Sequence, residues 1–357
     1  MQLSFSSALK LLLTTGTILS HHTVTTAGLN ITYYQNVSIV PHHPLPKSHA
    51  ESDASQVLEL FAHLGRTTVW NLVDTVQFEG DLWEPEGLIR LGPDRYIVSA
   101  GEYTEATVKY NATVNGTDRT AGAGFSHLVV FDGNGTRLAD ATLSEQGAVE
   151  YHNGGLDYDG QYIWAAIAQY RPNSTATVMR VDPNTLEPTP ILHAGDHEGG
   201  IIHDPQTNTI TTLNWGSRNA SRWSLAQLPL YDPSTFVRPL TTIRNPSYFN
   251  DYQDCKFLGH LTPFANYPTS PLMLCSGFSS ITSGDTSFSL GGIAIIDVDT
   301  MVPLFEVPIT IQSELGKVMT QNPVDFSVED GKLRFYWLPD QVNTTLYIYE
   351  AQPGMSV

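Results

Sequence analysis

The sequence predicts an all-β fold, a single β-propeller of five four-stranded blades. Apolar segments of strand length occur in pairs along the chain, and the members of each pair are separated by turn-forming residues. These units recur at intervals of roughly 45 to 70 residues, which is typical of propeller blades. The chain also has 28 Gly and 22 Pro residues without a collagen-like period, so its turns are numerous.

Each predicted blade begins with a hairpin of two apolar strands joined by a turn rich in Gly, Asp or Pro. The five hairpins cover residues 86–91 with 96–99, 154–158 with 162–165, 199–203 with 209–213, 254–257 with 272–275, and 324–328 with 333–337. A second hairpin follows in the first four blades, with apolar segments at residues 126–133, 178–183, 228–233 and 293–299. Trp164 and Phe335 lie in mid-strand and are predicted to pack between blades.

The fifth blade needs a strand from the other end of the chain. After residue 337 one apolar segment remains, residues 346–349, so the missing strand is predicted at residues 67–73, where it would close the ring. Six blades are the alternative if residues 30–40 contribute strands. The predicted organisation is a signal peptide at residues 1–27, an N-terminal extension at residues 28–66 with a short helix at 54–64, and the propeller at residues 67–357.

The N-terminus has the features of a secretory signal peptide. Residues 1–10 carry one positive charge and no acidic side chain, residues 11–19 are uncharged and mostly apolar, and small residues follow at 25–27. The apolar segment is too short to span a bilayer, and a buried core helix is the alternative interpretation. We therefore expect a protein that is secreted or resides in the secretory-pathway lumen, with no membrane span.

Glycosylation sequons and a disulfide fit that compartment. Asn-X-Ser/Thr triplets begin at Asn30, Asn36, Asn111, Asn115, Asn134, Asn173, Asn219 and Asn343. Some of these triplets arise by chance in loops, so the set is stronger evidence than any member. The two cysteines, Cys255 and Cys275, are predicted to form a disulfide that joins the strands of the first hairpin in blade four. Two inert buried thiols are the alternative.

The charge balance excludes one class of partner. The chain holds 36 acidic residues against 18 Lys and Arg, which gives a formal net charge of −18. A protein that neutralises nucleic-acid phosphates needs a basic surface, so no nucleic-acid partner is expected. The negative charge instead favours solubility. We expect a monomer or a small homo-oligomer.

Functional side chains should gather at one mouth of the central channel, where the first strand of each blade begins and the second strand ends. The strand starts supply Trp83, Glu84, Glu86, His152, Asn153, His197, Glu198, Tyr252, Asp254, Asn322 and Asp325. The strand ends supply Glu102, Tyr103, Gln169, Tyr170, Arg171, Trp215, Arg218, Phe278, Trp337 and Asp340. A concave site of aromatic rings with a few polar groups favours a small, flat, partly apolar ligand over a protein or polymer.

Simpler interpretations compete with several of these residues. The Gly-Gly pairs that follow Asn153 and Glu198 mark close backbone packing at the channel wall, and His203 is predicted to be a hydrogen-bonded core histidine. His152 and His197 with carboxylates from other blades could hold a metal ion. However, the sequence has no HEXXH motif, EF-hand, Gly-X-Ser-X-Gly elbow or phosphate loop. We therefore predict no cofactor and no bound metal.

Two related motifs resemble a family of secreted fungal propeller proteins. Residues 152–160 read His-Asn-Gly-Gly-Leu-Asp-Tyr-Asp-Gly, with Ile-Trp at 163–164 and Tyr-Arg-Pro-Asn-Ser at 170–174, and residues 197–204 read His-Glu-Gly-Gly-Ile-Ile-His-Asp. The resemblance covers about residues 67–349. It implies relatives that include the hetero-Diels–Alderases of tropolone sesquiterpenoid biosynthesis.

The resemblance implies a reaction between a tropolone and a humulene-type sesquiterpene. A hydroxymethyl tropolone would lose water to give an ortho-quinone methide, which adds across an alkene to close a dihydropyran. From the residues themselves, we predict His152, His197 or Tyr170 as the acid and Arg171 as a hydrogen-bond donor. We predict Tyr103, Trp215, Phe278 and Trp337 as stacking residues, with Glu102 and Asp254 as further substrate contacts. A metal-dependent lactone hydrolase and a non-catalytic binding protein are the alternatives.

Overall fold

The computed structural model describes residues 30–35, 37–39, 44–247, 250–321 and 323–354. The predicted signal peptide, the sequon at Asn36 and the strand-start residue Asn322 lie outside the described residues. In chain order the elements are β1 (Asn30–Tyr33), a 3-10 turn (His49–Glu51), α1 (Ala54–Phe61), β2 (Val69–Gln77), β3 (Glu84–Arg90), β4 (Arg95–Glu105), β5 (Lys109–Val114), β6 (Thr117–Arg119), β7 (Ala123–Asp132), β8 (Arg137–Thr142), β9 (His152–Tyr158), β10 (Ile163–Ala168), β11 (Ala176–Val181), β12 (Pro188–Ala194), β13 (Glu198–Asp204), β14 (Thr209–Asn214), a 3-10 turn (Trp215–Ser217), β15 (Asn219–Ser224), a 3-10 turn (Leu225–Gln227), β16 (Thr241–Arg244), β17 (Asp251–Leu261), β18 (Ser270–Ser283), β19 (Thr286–Asp297), β20 (Pro303–Ile309), β21 (Val324–Glu329), β22 (Lys332–Trp337) and β23 (Thr345–Gln352).

The strands form five antiparallel blades in a ring, so the predicted five-bladed propeller is confirmed. Blade one contains β3, β4, β7 and β8, and blades two, three and four follow in sequence order as β9–β12, β13–β16 and β17–β20. Blade five has the order β2-β23-β22-β21. Strand β2 therefore closes the last blade as predicted, with Val69 opposite Gln352 and Gln77 opposite Thr345.

Two details of the strand prediction differ from the structure. β1 does form within the segment that was the basis for a sixth blade, but it pairs with β8 and extends the outer edge of blade one. The segment at residues 228–233 was predicted as a strand of blade three, which is wrong, because the third strand there is β15. Pro229 and Pro233 cannot donate a ladder hydrogen bond, which explains why this apolar segment stays outside the sheet.

The hydrophobic core is divided among the five interfaces between neighbouring blades. Trp164 and Trp223 pack between blades two and three, Phe131 and Tyr336 between blades one and five, and Phe335 between blades four and five. The alternating strands turn one apolar face to each neighbouring blade, as expected for blades buried on both sides. Helix α1 packs Val57 and Phe61 into the cluster between blades four and five.

Buried carboxylates along the channel axis connect the first strands of different blades. Asp254 of blade four is fully buried and accepts hydrogen bonds from the backbone amides of Leu88, Leu156 and Val324, which lie in blades one, two and five. The Lys256 ammonium, also buried, lies 2.6 Å from the Asp254 carboxylate and donates to the Leu156 carbonyl. These backbone donors have no sheet partner on the channel side, so the carboxylate satisfies groups that would otherwise be costly to bury.

One disulfide joins the first two strands of blade four. Cys255 and Cys275 lie directly opposite each other in the β17–β18 register, and their sulfur atoms are bonded. Both side chains are buried in the cluster between blades three and four. The predicted disulfide is therefore present and cross-links the two strands of the first hairpin in blade four.

The segment before β2 covers the mouth of the channel at which the first strands end, here called the lower mouth. The His49 ring stacks on Phe326 at 4.2 Å. Its Nδ1 lies 2.9 Å from Asp53 and its Nε2 lies 3.1 Å from Asp325 of β21. His49 is thus held between two carboxylates and fixes the extension to the ring.

The described residues also bear on glycosylation and membrane topology. Six of the sequon asparagines that the structure describes are exposed, and Asn219 is half-buried; the exposed ones are Asn30, Asn111, Asn115, Asn134, Asn173 and Asn343. Within the described ranges, no helix is long and apolar enough to cross a bilayer.

Candidate functional site

A cavity of about 280 Å³ opens at the opposite end of the channel, here called the upper mouth, where the first strands begin. All five blades contribute side chains to it. Its lining includes the acidic and histidine residues Glu84, Glu86, His152, His197 and Asp251, the aromatic residues Tyr170, Trp215 and Phe278, and the amides Gln253, Gln321 and Gln341. Acid–base groups in direct contact with aromatic rings make this cavity the candidate active site.

Two carboxylates and one imidazole converge on the blade-one side of the cavity. Glu84 and Glu86 lie two residues apart at the start of β3, where a β-bulge between Pro85 and Gly87 interrupts the pairing with β4. Each of Glu84, Glu86 and His152 offers a ligand atom within 4.8 Å of the others. Glu86 and His152 are buried, and His152 Nε2 lies 3.6 Å from a Glu86 oxygen.

The proximity of these groups shifts their proton affinities. Burial, and then the negative charge of Glu86, raise the pKa of Glu84 from 4.5 to about 7. Burial alone would lower the pKa of His152, but the adjacent Glu86 carboxylate outweighs this effect and the net shift is upward. At neutral pH about half of Glu84 is therefore protonated, beside the close contact of His152 with Glu86.

His197 has the opposite character. Its Nδ1 lies 2.7 Å from the Gln169 carbonyl oxygen, which can only accept, so Nδ1 carries the proton and donates. Burial, together with the charge of His152, lowers the pKa of His197 to about 3. His197 is thus a neutral imidazole at physiological pH and can accept a proton or a hydrogen bond at Nε2.

The aromatic wall of the cavity is a connected cluster of rings. The Tyr170 ring lies 4.9 Å from His152 and 5.4 Å from Trp215, and Trp215 lies 4.9 Å from His197. Burial raises the pKa of Tyr170, so its phenol stays protonated and can donate a hydrogen bond. Tyr103 packs edge-on against Tyr170 at 5.7 Å and hydrogen-bonds the Glu84 carboxylate.

The structure brings some of the predicted site residues to the cavity and leaves others away from it. His152, His197, Tyr170, Trp215 and Phe278 line the cavity, and Tyr103 contacts its lining. The remaining predicted residues make other contacts.

Besides Tyr103, four predicted site residues lie outside the lining. Trp337 is fully buried in the cluster between blades four and five, and Asp254 lies deeper along the channel. Glu102 contacts His127 at 3.3 Å. Arg171 donates to the Gln169 side chain at 2.8 Å.

Arg119 is a residue of the upper mouth that the sequence did not reveal. Its guanidinium lies 4.8 Å from the centre of the Trp215 ring and 5.3 Å from that of Tyr170. It reaches this place on the β5–β6 hairpin, an insertion between the second and third strands of blade one. The one sequence feature that indicated a role for Arg119 was a basic residue in an unusually long connection between these strands.

Glu84, Glu86 and His152 could also hold a divalent cation. Two carboxylates and an imidazole are donors that zinc and other transition metals accept. The two nitrogens of the His152 ring are buried and make no hydrogen bond within the described part of the chain. The donor set therefore fits a metal ion as well as it fits proton transfer.

Fold and site together define the molecule as a five-bladed propeller with an acid–base cavity at the upper mouth. Residues 48–353 match the model of DUF6454, a family of unknown function, and the chain belongs to that family. No curated protein matches the chain.

Similar chains among solved structures include three proteins. A luciferin-regenerating enzyme aligns with a TM-score of 0.40 and 11% identity over 81% of this chain and 98% of its own. The WD40 propeller domain of Doa1 aligns with a TM-score of 0.36 and 10% identity over 78% and 96%. Hydrazine synthase of Kuenenia stuttgartiensis aligns with a TM-score of 0.33 and 13% identity over 73% and 58%.

Proposed function

We propose that this protein is an enzyme of secondary metabolism and that the upper-mouth cavity is its active site. The proposed reaction is dehydration of a hydroxymethyl tropolone, followed by an inverse-electron-demand hetero-Diels–Alder addition of the resulting ortho-quinone methide to a humulene-type sesquiterpene. The observation that carries this proposal is the Glu84 carboxyl, whose pKa of about 7 leaves about half of it protonated at neutral pH, in a cavity that also holds Tyr170, Trp215 and Phe278. The resemblance of residues 152–160 and 197–204 to the propeller family that includes the tropolone hetero-Diels–Alderases supplies the substrate class.

In the first step Glu84 acts as the general acid. It gives its proton to the leaving hydroxyl, the carbon–oxygen bond breaks, and water leaves with the bonding electrons. The ring hydroxyl of the tropolone loses its proton to the Glu86 carboxylate, and His152 stabilises the charges around it. Transfer of that proton from Glu86 back to Glu84 restores the site, so the net products are the quinone methide and one water molecule.

In the second step the protein acts mainly by positioning the two reactants. The exocyclic carbon and the ring oxygen of the quinone methide form bonds to the two carbons of one alkene, and no atom leaves. Such a reaction gains most from a rigid surface that holds two reactants in contact. The rings of Tyr170, Trp215 and Phe278 offer part of that surface.

The direct test is incubation of purified protein with the hydroxymethyl tropolone and the sesquiterpene. We expect a higher adduct yield and a higher enantiomeric excess than in the spontaneous reaction. Glu84→Gln should lower the rate of adduct formation by about 10²- to 10⁴-fold, the range for loss of a general acid. Glu150→Gln is a matched control, because Glu150 also contacts a histidine, His193, at 2.8 Å but lies outside the cavity. Yield and enantiomeric excess equal to the protein-free reaction would refute the proposal.

A metal-dependent hydrolase is the second candidate, favoured by the three metal-ligand donors Glu84, Glu86 and His152. This candidate predicts a stoichiometric metal in the purified protein and lactone hydrolysis that a chelator abolishes. Metal analysis, with Glu86→Gln as the comparison, separates the two candidates. A metal-free protein that forms the adduct would reject the hydrolase.

We also propose that the protein is secreted and glycosylated. The disulfide and the exposed sequons support an oxidising, glycosylating compartment. Mass spectrometry of the protein from its native host would show the site of N-terminal cleavage and a mass loss after removal of N-glycans. An uncleaved N-terminus with unmodified asparagines would contradict this part of the proposal.

A further inference from the structure

The β5–β6 hairpin (residues 109–119) stands at the upper mouth as an element separate from the blades. It rises between the end of β4 and the start of β7, and its strands form a two-stranded sheet of their own. Every residue of β5 is exposed. A hairpin of two strands is marginally stable by itself, so contacts with the ring must hold this one in place.

Three contacts attach the hairpin to blades two and three. The Arg119 guanidinium lies against the rings of Tyr170 and Trp215, the aromatic wall of the cavity. The Asn173 side chain donates to the carbonyl of Gly116 at the hairpin turn, at 2.6 Å. At the base, the Tyr151 hydroxyl donates to the Ala121 carbonyl at 3.3 Å.

The cavity whose aromatic wall Arg119 contacts is too small for the proposed reaction as it stands. Pockets that enclose drug-sized ligands have volumes of about 300 to 1,000 Å³, whereas this cavity measures about 280 Å³. It can hold one small ring compound but not a tropolone and a sesquiterpene together. The hairpin contacts the aromatic wall of the cavity but belongs to no blade, so it is the element that can move without disturbing the ring.

We propose that the β5–β6 hairpin is a lid and that Arg119 is its latch, which a flat conjugated ring or an apolar reactant displaces from Tyr170 and Trp215. Gly122, with a φ of 66°, lies where the hairpin rejoins blade one and can absorb the backbone rotation. In this arrangement Arg119 is a positioning residue. When the hairpin closes, Arg119 holds the reactants against the aromatic wall and excludes water.

The latch can be tested without any substrate by hydrogen–deuterium exchange. Arg119→Gln removes the cation–π contacts, so the hairpin should detach more often and its amides should exchange about tenfold faster. Lys109→Gln is the matched control, because it also removes a positive charge from the hairpin at an exposed position. Unchanged hairpin exchange in Arg119→Gln, or an equal increase in Lys109→Gln, would overturn the assignment of Arg119 as the latch.

The need for opening can be tested with a reversible cross-link. A Cβ atom on Gly116 would lie 3.3 Å from Asn173 Cβ, close to the separation in a disulfide. We expect oxidised Gly116→Cys/Asn173→Cys to lose at least about tenfold in adduct formation and to recover under mild reduction. Gly116→Ser/Asn173→Ser carries the same backbone strain, because both positions have positive φ, and should respond to neither treatment.

The two experiments separate the lid from the function on which the second one rests. The native disulfide is buried, so a mild reductant reaches the engineered one at the surface first. Full turnover by the oxidised double-cysteine protein would overturn the lid. If neither protein forms adduct, the proposed function fails, and the exchange experiment alone decides whether Arg119 holds the hairpin closed.

Discussion

Replacing His49 by Gln should make the stability of the fold much less dependent on pH. In the folded protein Asp325 and Asp53 hold the His49 imidazole between them, and their hydrogen bonds and charges outweigh the burial that would lower its pKa. The result is a pKa raised from 6.5 to about 9. The imidazolium is therefore the form that binds the extension to the ring.

The magnitude follows from linkage between proton binding and folding. A shift of one pKa unit corresponds to about 1.4 kcal/mol, so the shift of His49 corresponds to an upper bound of about 3 kcal/mol. The side chain is 20% exposed, and screening by solvent reduces this to about 2 kcal/mol. Because the folded-state pKa is the higher one, this stabilisation is complete below pH 6.5 and is lost as the pH rises through about 9.

The assay is urea unfolding at pH 6 and pH 9.5, followed by intrinsic fluorescence. We expect the free energy of unfolding of the wild type to fall between these values by about 2 kcal/mol more than that of His49→Gln. His63→Gln, an exposed position on the same extension, is the control and should behave as the wild type. Equal pH dependence in His49→Gln and the wild type would show that the two carboxylates do not stabilise the imidazolium.

Four further outcomes follow from the fold and the site. Cys255→Ala should lower the free energy of unfolding by about 3 kcal/mol, measured in urea, because the cross-link closes a loop of 20 residues; a change below about 1 kcal/mol would contradict this. Asp254→Asn should cost about 3 to 5 kcal/mol, since it leaves the Lys256 charge buried without a counter-ion, and thermal unfolding without a clear decrease in Tm would reject that role. Gly154→Ala should prevent formation of soluble folded protein, because a Cβ there would collide with the Gly199 carbonyl; a normally folded variant would refute this packing. The rate of adduct formation should fall as the pH rises through about 7, where Glu84 loses its proton, and a rate that still increases above pH 8 would exclude Glu84 as the acid.

The architecture was predictable because it depends on local pattern. Alternating apolar strands and Gly- or Asp-rich turns predicted five hairpins, and the shortage of strands after residue 337 predicted closure by β2. The one strand placed incorrectly, residues 228–233, satisfied the apolar pattern but carries two prolines. A prediction that considered backbone hydrogen-bond donors as well as hydrophobicity would have placed this strand at residues 219–224.

The location of the site followed from topology, but the orientation of each side chain did not. Trp337 was expected at the mouth because it ends a strand, yet it lies two residues after Phe335 and therefore on the same face. The two rings stack at 5.3 Å within the core between blades. The same alternation that predicted a buried Phe335 thus also predicts a buried Trp337. Trp215 differs, because the chain leaves β14 there in a 3-10 turn that includes Ser217 at a positive φ.

The perturbed acid and Arg119 depend on tertiary contacts, which a sequence pattern does not contain. Glu84 and Glu86 were recognised as strand-start residues, but the rise in the pKa of Glu84 depends on its burial and on the carboxylate beside it. Arg119 reaches Tyr170 and Trp215 because an inserted hairpin leans across two blades. The docking angle of such a hairpin is set by the surface it rests on.

The pairing of β2 with β23 has a consequence for folding kinetics. β2 is synthesised before any complete blade. Its partner is β23, the last strand of the ring, because Val69 pairs with Gln352. β2 therefore stays unpaired until the end of the propeller has been synthesised. Joining residues so far apart costs about 5 kcal/mol in loop-closure entropy if the chain between them is unstructured, and much less once four blades have folded. Biosynthesis should therefore pass through a stage in which blades one to four are formed while an unpaired strand edge in blade five is exposed to neighbouring chains.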